Sequence, residues 1–338
     1  MSATKLKQSW QDALTDLITD PQELLQVLDL DDNLLTSARA AAALFPLKVT
    51  RSYLARMQKG DPNDPLLKQV LPLGLELKTV AGYSADPLVE AEVNPIPGLL
   101  HKYKSRILVT LTSACAIHCR YCFRRHFPYA ENNPGKKGWE KIAAYIEADL
   151  NITEVILSGG DPLTVNDTML QEFIARMADI SHVKRLRIHT RLPIVLPERI
   201  TPALLNALTR TRLKIIVVVH ANHAQEIDAQ VQQALTLLRT NDVTLLNQTV
   251  LLKNINDNVQ ALIELSETLF AAGVLPYYLH VLDKVAGAAH FDIDLNSAMT
   301  LHKQLSDQLS GYLVPKLVCE QPGKSSKTIL SNSFLTIA

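Results

Sequence analysis

The sequence predicts an α/β protein, an open partial (β/α)6 barrel preceded by an N-terminal helical appendage. Three observations carry this. Between residues 107 and 281, six short aliphatic or β-branched runs alternate with stretches of helical period, the signature of a parallel sheet. One run, Lys214-Ile215-Ile216-Val217-Val218-Val219-His220, is apolar on both faces, as strands buried between helical layers are. Six units are too few for a closed eight-fold barrel, so the sheet is expected to stay open.

Residues up to about 57 read as helices. Trp10, Leu14, Leu17 and Ile18 share one helical face. Asp20-Pro21 reads as an N-cap with proline at the first helical position, and Leu24, Leu25 and Leu28 continue that helix. A third helix over Ala40–Phe45 stops near Pro46. From Gly60 to Pro97 prolines and aspartates recur, so this segment is expected to wrap the barrel and not to build a core. The strands are Ile107–Thr112, Glu154–Ser158, Arg185–Thr190, Lys214–His220, Val243–Gln248 and Leu275–Val281. Helices follow at the Trp139, Ile142, Ala143, Ile146 stripe, Asp167–Met177, Thr201–Leu208, Ala224–Leu238 and Asn256–Phe270. A helix over Ser297–Leu309 and an apolar stretch, Tyr312–Val318, close the barrel. The expected division is a helical region over 1–59, a wrapping segment over 60–106, the barrel over 107–318 and a C-terminal segment over 319–338.

The chain has 338 residues, with 34 basic and 34 acidic side chains. Zero net charge argues against a nucleic-acid or membrane-surface binder, whose footprint is a basic excess. Met1 to Lys7 has no apolar stretch behind it, and the longest apolar runs are too short to span a bilayer. A cytoplasmic protein is expected, with cysteines that serve metal binding or catalysis and not disulfides. Cys319, standing alone, reads as a small buried hydrophobe.

The chemistry concentrates in one loop. Cys115, Cys119 and Cys122 follow the first strand with C-x3-C-x2-C spacing, three soft ligands that suit an iron–sulfur cubane with one iron left open. Structural zinc is the competing reading. It needs a fourth ligand, for which His118 or Cys319 would have to serve. In parallel βα folds active sites lie at the C-terminal strand ends. Those ends carry Ser158-Gly159-Gly160-Asp161, His189-Thr190-Arg191, His220, Asn247-Gln248 and Asp283. Gly159-Gly160 would bare the backbone to a ligand, or simply make a tight turn.

The cysteine loop, Gly159-Gly160-Asp161-Pro162, Asp61-Pro62-Asn63-Asp64-Pro65, Arg187–Arg191, His220–His223, Asn247-Gln248 and Pro322–Lys327 together resemble the radical S-adenosylmethionine superfamily, and within it the lysine 2,3-aminomutases, over about residues 60–328. The resemblance implies a 4Fe-4S cluster on the three cysteines and S-adenosylmethionine, cleaved to an adenosyl radical, on Gly159, Gly160, Asp161, His220 and Gln248. It implies pyridoxal 5'-phosphate on Lys327, with Arg106 at its phosphate. From chemistry alone Lys324 could serve as well, but the register from Pro322 favours Lys327. It further implies Arg124 for a substrate carboxylate, and Asp283 with Glu320 for the far ammonium of L-lysine. Relatives that act on free lysine usually carry aspartate at the Glu320 position.

The chain is short for the family. Short members with glutamate there resemble the enzymes that make (R)-β-lysine for attachment to elongation factor P by a separate ligase, with an electron donor such as flavodoxin. The expected function is that isomerisation. The alternatives are a 2,3-aminomutase of free lysine, arginine or glutamate in catabolism or osmolyte synthesis, and a non-catalytic cluster- or zinc-binding protein.

Overall fold

A computed structural model describes residues 9–132 and 134–330. The N-terminal residues read for a leader, the start of the 1–59 region and the end of the 319–338 segment lie outside the described residues.

Two short strands, β1 (Leu17–Ile18) and β2 (Val49–Thr50), form an antiparallel ribbon. Among the described residues the other nine strands build one sheet: β3 (Leu99–Tyr103), β4 (Arg106–Thr112), β5 (Glu154–Gly159), β6 (Arg185–Thr190), β7 (Lys214–Val219), β8 (Thr244–Val250), β9 (Leu275–His280), β10 (Lys316–Cys319) and β11 (Thr328–Ile329). Their spatial order is sequential from β11 to β3. Strands β4 to β10 are parallel, and β3 and β11 flank them antiparallel.

All six expected strands are present. The stretch read as closing the barrel contributes a seventh parallel strand, β10, and Leu99–Tyr103 adds an edge strand inside the segment expected to be irregular. The helices fall close to their predicted places. Helix Gly135–Glu147 buries Trp139, Ile142, Ala143 and Ile146, the stripe its period predicts. Thr201 caps Pro202–Thr209 by accepting from the Leu204 amide at 3.1 Å. Two starts shift downstream: Ala224–Glu226 is a separate 3-10 turn before helix Ala229–Thr240, and Asn258 caps a helix that begins at Val259.

The N-terminal reading needs one correction. The first helix ends at Thr15, and Leu17 and Ile18 are strand residues paired with Thr50 and Val49. Asp16 leaves helical geometry, and fully buried Ile18 joins the main hydrophobic core from the ribbon. Asp20-Pro21 starts a helix as expected, with the Asp20 carboxylate accepting from the Gln22 amide at 2.9 Å.

The larger correction concerns residues 60–97. Asp64 caps a single turn, Pro65–Lys68, and Leu66, Leu67, Val70 and Leu71 enter the main hydrophobic core. This segment therefore does build core. It also supplies buried acids to the cysteine loop. Glu76 receives Arg120 through Nε at 2.9 Å, and Arg125 at 2.7 Å. Both guanidiniums stack on Phe45. Glu76→Ala leaves two buried cations unpaired and is expected to cost about 3–5 kcal/mol. Urea unfolding reads this as a lower midpoint with an unchanged slope.

Although the sheet is open in its backbone pairing, its two edges meet through side chains. Tyr103 of β3 donates its hydroxyl to Glu320, just past β10, at 2.6 Å, and the Lys102 ammonium lies 3.8 Å from the same carboxylate. The curl that brings them together makes the strand ends face one interior.

Candidate active site

A cavity of about 940 Å³ opens at the C-terminal ends of the parallel strands. Every residue that the sequence put forward for ligand binding lines it: Cys115, Cys119, Cys122, Gly159, Gly160, Asp161, His220, Gln248, Arg106, Arg124, Asp283, Glu320 and Lys327. Strand polarity brings the strand-end residues among them to one side, whereas Arg106 opens β4 and lines the cavity from the other end of that strand.

The cysteine loop forms one wall. All three cysteines are free thiols, and burial pushes Cys122 up to about 11 and Cys115 upward too. Such thiols are unreactive by themselves, and coordination by a metal is what deprotonates them. Among the described residues no group of three or more His, Cys, Asp and Glu side chains is placed to hold a single ion. A cubane, by contrast, takes its thiolates at separate iron corners. His118 is engaged elsewhere. Its ring lies on Phe45 at 4.8 Å, Nδ1 donates to the Pro46 carbonyl at 2.7 Å, and burial lowers it to about 4. Cys319 is half-buried at the end of β10 and does not line the cavity. Its reading as a buried core hydrophobe is thus corrected.

The glycines have a protein reason for lacking side chains. Gly159 has φ +106°, and a Cβ there would sit 2.4 Å from Thr110 Cγ2. A Cβ on Gly160 would meet the Ala114 carbonyl oxygen at 2.4 Å. Close approach of the strand end to β4 demands the first and to the start of the cysteine loop the second, and the Gly160 and Asp161 amides donate to the Thr112 and Ala114 carbonyls across that contact. Asp161 contributes differently from the expectation. Its carboxylate takes the Thr190 hydroxyl at 2.6 Å and the amides of Leu163, Arg191 and Leu192, which locks one strand end to the next. That side chain is therefore saturated; the Gly159 carbonyl takes the Tyr129 hydroxyl at 2.6 Å and the Asp161 carbonyl takes the Thr164 amide, so the Gly160 carbonyl is what this turn offers a ligand.

On the neighbouring strands two polar atoms are buried without a partner, His220 Nε2 and Gln248 Oε1. Burial lowers His220 to about 4, so the ring is a neutral donor or acceptor. Adjacent Asn247 points the other way, as strand alternation requires, and bonds the Ala221 backbone. These orphaned atoms, with the glycine backbone and the thiols, fit a polar cofactor beside a cluster.

Across the cavity lies a cationic patch. Arg106 stacks over Tyr103 at 4.1 Å and makes no ion pair among the described residues. Arg185 and Arg187 share Glu154, and Arg187 Nε has no partner. Three guanidiniums against one carboxylate suit a phosphate. Lys327 faces the same cavity, whereas Lys324 is exposed and does not line it. This patch and Lys327 fit pyridoxal phosphate.

Two of the three expected substrate anchors, Arg124 and Glu320, are already engaged by protein partners. Glu90 grips Arg124 bidentately, through Nε at 2.7 Å and Nη2 at 2.9 Å, and Nη1 donates to Ser158 at 3.0 Å. Despite the cost of burial, Arg124 and Lys102 hold Glu90 down at about 2. Glu320 takes Tyr103 and the Lys327 ammonium. Asp283 makes no side-chain bond among the described residues, and burial lifts it to about 7. The Lys327 ammonium thus lies on one of the two carboxylates, Glu320.

Sequence reasoning missed Glu90 and Lys102 behind Arg124, and His280, buried in the cavity wall with Nε2 unpartnered; it placed Ser158 and Arg191 at the strand ends without their partners, Arg124 and Cys119. A buried arginine requires a buried acid, and the apolar setting of Glu76 was the nearest available signal.

A partial barrel with a three-cysteine loop at its mouth defines the radical S-adenosylmethionine class, and the sequence profile of the "Radical SAM superfamily" matches residues 109–266. Over 328 residues the chain is 50% identical to the L-lysine 2,3-aminomutase of Escherichia coli (strain K12), covering 97% of this chain and 96% of that one. It is 47% identical over 323 residues to that of Haemophilus influenzae, at 96% of both chains. The enzyme of Clostridium subterminale is 35% identical over 327 residues, 96% of this chain and 78% of its own. The chain belongs to the L-lysine 2,3-aminomutase family. Among the described residues no helix is long and apolar enough to cross a membrane.

Proposed function

We propose that the chain isomerises L-α-lysine to (R)-β-lysine by moving the amino group from C2 to C3. One observation carries the reading: the three thiols, Lys327, Arg124 and the Asp283–Glu320 pair all line a single cavity. In this reading Cys115, Cys119 and Cys122 hold a 4Fe-4S cluster, Gly159, Gly160, His220 and Gln248 hold S-adenosylmethionine, and Lys327 with Arg106 holds pyridoxal phosphate. When bound, these groups supply a carbon radical strong enough to take an unactivated hydrogen, and a carbonyl that retains the migrating nitrogen.

The chain's own part is positioning. Arg124 presents Nη1 beside Ser158 to the substrate carboxylate, with Glu90 fixing the far side of the fork. Asp283 and Glu320 take the far ammonium. A cation at one end and two acids at the other measure the length of lysine and disfavour glutamate, whose far end is an anion. The neutral imidazoles of His189, His220 and His280, all lowered by burial, line the cavity without adding charge.

The product is read as β-lysine for elongation factor P, attached by a separate ligase, with a flavodoxin-type donor reducing the cluster. Anaerobic turnover of the reconstituted protein with lysine, arginine and glutamate tests the reaction, read by mass and chirality. Lysine converted to (R)-β-lysine is expected; inert lysine beside turnover of another amino acid overturns it. Elongation factor P from cells lacking the chain is expected to lose the β-lysyl mass.

A further inference from the structure

Arg191 follows β6 and is buried, and neither the cofactor nor the substrate assignments use it. Its Nη1 donates to Cys119 Sγ at 2.7 Å. Nη2 donates to Gln69 Oε1 at 2.6 Å, Glu226 Oε2 at 2.8 Å and the Tyr53 hydroxyl at 3.0 Å. The backbone amide is held by Asp161 at 2.7 Å, and the guanidinium lies over the rings of Tyr53 and Tyr121. Glu226 is itself fixed, since its other oxygen takes Gln69, the Asn222 amide and the His223 amide.

These contacts aim the guanidinium. The balancing carboxylate meets Nη2, while Nη1 is turned to sulfur, so the positive end of the pair faces Cys119. Among the described residues Cys119 is the only cysteine of the loop to receive a side-chain hydrogen bond. Hydrogen bonds to ligand sulfurs and nearby buried charge are the levers by which proteins set cluster potentials. Reduction adds one negative charge to the cluster, and a buried N–H donor and cation beside one thiolate stabilise that added charge with little screening.

We propose that Arg191 is a positioning residue for the cluster: its N–H···S bond to Cys119 raises the reduction potential, and Glu226 tempers that effect by offsetting its charge. The reduction is a one-electron transfer from an external one-electron reductant to the cluster, with no bond made or broken at Arg191. The proposal rests on the cluster assignment made above.

Redox titration of the anaerobically reconstituted full chain with dithionite, followed by the paramagnetic signal of the reduced cluster, tests it in wild type, Arg191→Gln and Glu226→Gln, each with iron and sulfide counted. Arg191→Gln is expected to cut the reduced-to-oxidised ratio at a fixed potential about tenfold, a 59 mV negative shift for one electron. Glu226→Gln, which keeps the arginine and removes its counter-charge, is expected to shift the midpoint the other way. A packing role alone predicts no such opposition. A wild-type midpoint in either fully loaded variant, or shifts of the same sign in both, overturns the proposal. Should Arg191→Gln fail to load iron, Glu226→Gln decides by itself. Failure of the cluster assignment is distinct, because wild type would then show no cluster signal.

Discussion

Lys327→Ala is expected to leave the purified protein without bound pyridoxal absorbance and without detectable turnover, while Lys324→Ala keeps both. The two amines are three residues apart in sequence, and chemistry alone does not separate them. Their settings do. Lys324 is exposed in the turn after Gly323. Lys327 immediately precedes β11, faces the cavity and is paired with Glu320. Antiparallel pairing of β11 on β10, with Thr328 opposite Cys319, fixes the register that turns Lys327 inward. The aromatic ring of Tyr278 lies 5.8 Å below its ammonium, and the Arg106–Arg185–Arg187 patch lies in the same cavity for a phosphate. Absorbance after dialysis against free cofactor reads the result. A retained band in Lys327→Ala with its loss in Lys324→Ala would reverse the assignment.

The cysteine loop and the strand ends were legible because both are local. Three thiols in eight residues announce themselves, and strand polarity converts six sequence runs into one mouth. The counter-ions were not legible. Glu76 lies 44 residues from Arg120, and Glu90 lies 34 from Arg124; no periodicity encodes such pairings. The proline-rich look of residues 60–97 also concealed its core residues, because the Asp64 cap shapes one turn too short to show a helical stripe. Gly159-Gly160 was read for a ligand or a tight turn, and the nearest atoms to its missing side chains belong to β4 at Gly159 and to the cysteine loop at Gly160. The edge strands β3 and β11 were missed for a related reason: each is short and pairs on one side only, so neither carries the apolar run of a central strand.

Lysine binding is expected to weaken as pH falls below about 7, approaching tenfold in Kd per unit, and Asp283→Asn is expected to remove that dependence. The cause is the Asp283 carboxyl, which burial lifts from the usual carboxylate range to about 7. The Lys327 ammonium pulls it down, and the Glu320 charge lifts it further. Below about 7 the group is protonated in the free protein, but a bound alkylammonium requires it ionised. Binding therefore releases a proton, and by linkage affinity falls with falling pH. Above about 7 the curve flattens, because the carboxylate is already formed. Asp283→Asn loses a charge at the ammonium and is expected to cost about 2 kcal/mol or more, roughly thirtyfold in Kd. Stability should respond with the opposite sense. A carboxyl whose folded value exceeds its unfolded one contributes stability that is complete below the unfolded value and lost as pH rises through about 7. Asp283→Asn should thus gain on wild type in urea unfolding from pH 6 to pH 8, in the same window where it binds lysine less well. Calorimetric binding and unfolding over that range separate this from general damage, which would lower both. If both instead run parallel to wild type across that range, Asp283 is not the group that meets the far ammonium.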